Sequence, residues 1–139
     1  MNYQSTRNKE TKITSAEAIV KGLALDGGLF VPSDFPKISC EEFELVGKKS
    51  YTETAEFVLG KYLTDFTEDE IKNCVTKAYT AEKFGSDNTA PLYKLKEGEY
   101  ILELWHGPTC AFKDMALQIL PHLLTTSMKK TGVTKEVVI

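Results

Sequence analysis

Arginine is almost missing from this 139-residue sequence. Among 17 basic residues only Arg7 is an arginine, so forked clamps for phosphate or carboxylate are scarce. The net charge of −3 argues against a nucleic-acid footprint, which would need a clustered basic face. Long apolar runs are missing as well. None approaches the ~20 residues of a membrane-spanning helix, so no membrane is expected as a partner. The opening Met1–Arg7 is polar and lacks a signal-peptide core, which points to the cytoplasm. Cys40, Cys74 and Cys110 are odd in number and far apart, suggesting neither a disulfide framework nor a metal site. They read as small core residues, Cys74 most clearly from its helical stripe. What remains is the balance of a globular chain, 42% hydrophobic and 27% charged, with no low-complexity tract. Its length suits one domain, or one small domain and part of another.

Helix starts dominate the first half. Thr14-x-x-Glu17, Ser39-x-x-Glu42, Ser50-x-x-Glu53 and Thr67-x-x-Glu70 all match the capping box, in which paired side chains satisfy amides that a helix leaves without partners. Ile13, Ile38 and Phe66 precede three of these caps and can staple to Ala18, Phe43 and Ile71. Ala55, Val58, Leu59, Tyr62 and Leu63 form one apolar stripe, and Ile71, Cys74, Val75, Ala78 and Tyr79 another. Asp26-Gly27-Gly28 turns the chain into a short strand, Leu29–Val31, ended by Pro32.

The loop from Phe84 to Pro91 is the expected domain boundary, giving residues 1–84 and 85–139. Beyond it, Leu92–Leu95 and Tyr100–Leu104 flank Lys96-Glu-Gly-Glu99, a hairpin signature. After the break at His106-Gly-Pro-Thr109 the pattern predicts a long helix with Phe112, Met115, Ala116, Ile119, Leu120 and Leu123 on one face. Pro121 cannot donate to the Leu117 carbonyl, so the helix should kink or end there. Lys135–Ile139 begins a β-branched strand that would need neighbours and a following connection. The chain is therefore expected to be the N-terminal piece of a longer protein, with the remainder of its own chain as partner.

The stretch Leu102–Gln118 is the chemically informative one, and Lys113 is its centre. A lysine early in a helix is ordinarily a solvated surface residue. Here it sits among apolar residues, after a Gly-Pro break and next to an expected helix N-terminus. Desolvation and the helix dipole both favour the neutral amine, the form that makes a Schiff base. His106 before Gly-Pro reads first as a turn residue bonding its own backbone.

Three separated blocks resemble threonine synthase, a pyridoxal-phosphate (PLP) enzyme of fold type II. They are Tyr3-Gln-Ser-Thr-Arg7, Ala18–Pro32 with its glycine turn, and Glu103–Gln118, which is similar to the cofactor-lysine motif. Asn8 stands where the family often has glycine, Trp105 where phenylalanine is common, and Cys110 where leucine is common. The resemblance implies a mixed α/β fold: a helix-rich N-terminal domain with short strands, plus the first hairpin and helix of a fold type II PLP-dependent domain, truncated. It implies a Schiff base between Lys113 and PLP in the full-length protein, with Lys113, Phe112, Thr109 and Asp114 at the cofactor. His106 would shape the substrate entrance.

The implied reaction converts O-phospho-L-homoserine and water to L-threonine and phosphate. The cofactor is the electron sink, and Lys113, released when substrate takes its place, moves protons. In the family a Gly/Ser/Thr-rich loop holding the cofactor phosphate follows the strand corresponding to Glu136–Ile139. Without that loop the chain alone is expected to be inactive and to bind PLP weakly. Two alternatives stand beside this reading: a threonine-synthase-like phospho-lyase sharing Lys113, and a non-catalytic interaction module. Ser5, Thr6 and Arg7 either are terminal coil or, through Arg7, tie the N-terminus to the catalytic domain.

Overall fold

The computed structural model describes residues 1–135 and Val137. The strand expected at Lys135–Ile139 rests on Glu136, Val138 and Ile139, which lie outside the described residues. The element order is β1 (Tyr3–Ser5), α1 (Ser15–Lys21), β2 (Phe30–Pro32), α2 (Cys40–Val46), α3 (Tyr51–Tyr62), α4 (Glu68–Ala78), α5 (Ala81–Phe84), β3 (Leu92–Lys96), β4 (Glu99–Leu102), α6 (Asp114–Leu117) and α7 (Leu120–Thr131). This is the mixed α/β class anticipated from sequence.

All four capping boxes form. Thr14, Ser39, Ser50 and Thr67 each accept from the amide three residues on, while Glu17, Glu42, Glu53 and Glu70 reach back to the cap amide. Helix α1 gains a second N-terminal partner. Asp65, in the loop after α3, accepts from the Ala16 amide at 3.0 Å and from the Ser15 hydroxyl. Burial opposes ionisation of Asp65, but those two donors outweigh it and hold the carboxyl below its usual range.

The α4 stripe goes where its period sends it. Ile71, Cys74, Val75 and Ala78 are all buried. They join Ala16 of α1, Leu63 and Phe66 after α3, and Ile119 and Leu123 around the start of α7 in one core. That core draws on residues from both sides of the expected boundary at 84/85. Helix α7 packs on α1 and on α4; the buried residues of α1 (Ser15, Ala16, Ala18) are all small, while α7 buries Leu123, Leu124 and Ser127.

Both sheets have two antiparallel strands. In the first, Tyr3, Gln4 and Ser5 pair with Pro32, Val31 and Phe30. Ser5 is therefore strand, Thr6 and Arg7 follow it, and Pro32 lies inside its strand rather than after it. Proline is tolerated there because a two-stranded ribbon asks for hydrogen bonds on one side only.

The second sheet is the expected hairpin with a tighter turn. Lys96 and Glu99 are paired, so only Glu97 and Gly98 form the loop, with Gly98 at φ +76°. The four-residue turn read from sequence overlooked how readily glycine accepts positive φ in a two-residue connection. Every residue of β3 and β4 is exposed, including Leu92, Leu95, Ile101 and Leu102.

Candidate functional site

The site is built on the segment between β4 and α7. Glu103 begins it, its amide donating to the Pro91 carbonyl at 2.9 Å. Three residues on, the His106 ring nitrogen Nε2 lies 2.7 Å from Glu103 Oε2, and the Trp105 and His106 rings stack at 5.7 Å and 28°. His106 therefore takes its orientation from an acidic side chain, where the sequence suggested its own backbone. The i, i+3 spacing of Glu103 and His106 was the available signal.

Next comes a tight turn, in which the Cys110 amide donates to the Gly107 carbonyl at 3.0 Å and Cys110 adopts φ +56°. A non-glycine residue at positive φ carries strain of ~1–3 kcal/mol that its surroundings must hold. What holds it is Asp114. This side chain is completely buried, accepts from the Thr109 amide at 2.8 Å, and receives the Thr109 hydroxyl at 3.0 Å. Gly107 leaves room for it. A Cβ on Gly107 would sit 2.6 Å from Asp114 Oδ2 and 2.8 Å from Cγ, inside any real contact.

Thr109 does not cap α6. Asp114 reaches back five residues to cap the Thr109 amide, and Lys113 itself occupies the position before α6 without a side-chain cap. Full enclosure also removes Asp114 from the surface that an incoming ligand can touch.

Lys113 is exposed, as is Phe112 beside it. The sequence predicted a partly dry amine at the positive end of a long helix, and within this chain neither condition is met. Pro121 explains the second. It provides no amide for the Leu117 carbonyl, so the helix divides into the four-residue α6 and a separate α7 with Pro121 in its first turn. The first follows from packing, because the apolar face expected from Phe112 onward is buried only from Ile119. Of the residues assigned to the site, Thr109 and Asp114 touch each other, while Lys113 and Phe112 adjoin them in sequence and stand exposed.

One residue outside the motif bears on the site. Tyr79, assigned to the core stripe, donates its hydroxyl to the Met115 carbonyl at 2.8 Å. Arg7, the chain's one arginine, donates to the Asp26 carbonyl at 3.0 Å. Ser5 and the Gly28 amide each donate to Asp26 Oδ1 at 2.8 Å. The Gly28 amide, and after it the Ser5 hydroxyl, hold the Asp26 carboxyl below its usual range. The Tyr3–Arg7 block therefore clasps the glycine turn within the N-terminal half.

A groove of about 660 Å³ lined by Glu42, Phe57, Lys61, Phe66 and Ile71 includes none of the assigned site residues. No group of three or more His, Cys, Asp or Glu with metal-binding geometry occurs among the described residues. No helix among them is long and apolar enough to cross a membrane.

Comparison with known proteins supplies the context that geometry alone lacks. Residues 2–79, more than half of the chain, match the family model described as the N terminus of threonine synthase. Threonine synthase of Schizosaccharomyces pombe is 42% identical over 125 residues, covering 88% of this chain and 24% of that protein. Human threonine synthase-like 1 is 40% identical over 111 residues, covering 78% of this chain and 15% of that protein. PLP-bound threonine synthase from Brucella melitensis superposes with a TM-score of 0.86 at 34% identity, over 95% of this chain and 28% of that one. The chain thus spans less than a third of the length of these proteins.

Proposed function

The chain belongs to the threonine synthase family, and on that premise we propose that it forms part of a PLP-dependent enzyme converting O-phospho-L-homoserine and water to L-threonine and phosphate. Residues 1–84 are its N-terminal domain, and residues 85–139 open the catalytic domain. The observation that carries the reading is the placement of Lys113. Its amine is exposed, next to an exposed aromatic ring and on a turn held by the buried Asp114–Thr109 brace.

These residues fit PLP. Lys113 offers a primary amine for covalent attachment, and among the described residues no carboxylate pairs with it. Phe112 offers an apolar ring at its side. When bound, PLP supplies an electron sink for breaking bonds at the substrate's carbons. Lys113 Nζ would hold the cofactor and, when free of it, would be the positioned base that moves protons. Thr109 and Asp114 fix the loop, and His106, oriented by Glu103, shapes the entrance. The chain alone is inactive and holds PLP weakly, because its amine is solvated rather than dry. The enzyme works in the cytoplasm.

The test joins this chain to the remainder of the Schizosaccharomyces pombe relative, in place of its aligned segment, and supplies PLP and O-phospho-L-homoserine. Phosphate released together with threonine is expected, with a loss of about 10²–10⁴-fold or more in Lys113→Ala. Phosphate released with a keto acid would instead favour a threonine-synthase-like phospho-lyase. Turnover unchanged by Lys113→Ala would sink both.

A further inference from the structure

We infer that Tyr79 is a positioning residue for Lys113: its hydroxyl, by donating to the Met115 carbonyl, fixes the short helix α6 that begins directly after Lys113. Helix α6 ends at Leu117, and the helical donor for the Met115 carbonyl, the Ile119 amide, lies beyond that end. Pro121 prevents the helix from running on, since it has no amide for Leu117. Helix α6 is therefore too short to hold itself, and nucleating so short a helix is unfavourable without outside contacts.

The outside contact comes from the end of α4. Tyr79 follows Ala78 as the C-terminal cap residue of that helix, and its ring is wedged between Tyr51 (edge-on, 5.0 Å) and Phe84 (5.9 Å). Phe84 is 2% exposed, so the wedge has little freedom. From there the hydroxyl reaches the Met115 carbonyl at 2.8 Å across 36 residues of sequence. Burial, and after it the neighbouring Tyr51, push the Tyr79 phenol above its ordinary range, which keeps the hydroxyl a donor at any working pH.

Lys113 belongs to the same hydrogen-bonded turn as Met115, because its carbonyl accepts from the Ala116 and Leu117 amides at 3.0 and 2.9 Å. Moving Met115 moves Lys113. Asp114 and Thr109 hold this turn on its upstream side, and Tyr79 holds it on the downstream side. The assignment rests on Lys113 being the working amine, as proposed above.

Tyr79→Phe deletes the hydroxyl and keeps the ring. Tyr3→Phe is the matched control, since the Tyr3 hydroxyl also donates to a backbone carbonyl, that of Tyr62 at 3.3 Å, away from α6. Residue-resolved amide exchange and the signals of reductively ¹³C-methylated lysines are recorded on this chain without PLP. In Tyr79→Phe, Asp114–Gln118 amides should exchange about fivefold faster while α4 amides stay unchanged, as loss of one net hydrogen bond implies. The Lys113 methyl signal should shift while those of Lys61 and Lys94 do not, and Tyr3→Phe should leave α6 and Lys113 as they were. Uniform loosening of α4 and α6 together would overturn the inference, and so would an unmoved Lys113 signal. Because no cofactor is present, this outcome is independent of whether Lys113 carries PLP.

Discussion

Replacing Gly107 by alanine is the sharpest perturbation of the brace beneath Lys113. Ordinarily this change removes unfolded-state freedom and stabilises by ~0.4–1 kcal/mol where the backbone permits. Gly107 is not at positive φ, so the backbone does permit it. Space does not. The new carbon would lie 2.6 Å from Asp114 Oδ2 and 2.8 Å from Cγ, and closer still to the Asp114 Cβ. Asp114 is fully buried and cannot swing away without releasing the Thr109 amide. Overpacking costs ~1–3 kcal/mol, and a displaced hydrogen bond to a charged group ~1.5–3 kcal/mol. With the entropic gain offset, the net is a destabilisation of about 2–5 kcal/mol, a large share of a domain's ~5–15 kcal/mol. Urea unfolding followed by circular dichroism measures it. Pairing Gly107→Ala with Asp114→Gly should cost less than the sum of the two single changes, because the second removes the atoms that clash. A Gly107→Ala midpoint equal to or above wild type would refute the reasoning.

Other expectations follow from the same contacts. Thr67→Ala should lower stability by about 1 kcal/mol through loss of the α4 cap, read as a lower melting temperature. Phe84→Ala, which empties a site 2% exposed, should cost about 3–5 kcal/mol in the same urea assay. Asp26 and Asp65 have carboxyls held low, so their contribution is present above the unfolded-state range near about pH 4 and is lost as pH falls through their lower folded-state values. Asp65→Asn should flatten the acid limb of a stability–pH profile, and a limb of unchanged steepness would count against the cap on α1.

Much of this fold was legible because the capping boxes are local. Ser or Thr followed three residues later by Glu determines its own geometry, and all four formed as read. The α4 stripe was legible for a similar reason, since its period alone chooses the face that is buried. Pairings across long sequence separations were not legible. Nothing near Tyr79 announces Met115, and nothing near Thr14 announces Asp65 as a second cap on α1. Lys113 illustrates the mixed case. Its motif identified the residue, but the apolar neighbours suggesting a dry amine, Phe112 foremost, are exposed within this chain. Pro121 was recognised as a break, yet its consequence for α6 depended on a tyrosine donated from another helix.

The claim that Lys113 carries the cofactor is tested most directly by reductive trapping. The chain, joined to the remainder of the Schizosaccharomyces pombe relative, is loaded with PLP, treated with borohydride and mapped by peptide mass. A single adduct, close to one per chain, is expected on the peptide containing Lys113, and none in Lys113→Ala. An adduct fixed on a different lysine, or stoichiometric trapping that survives Lys113→Ala, would contradict it.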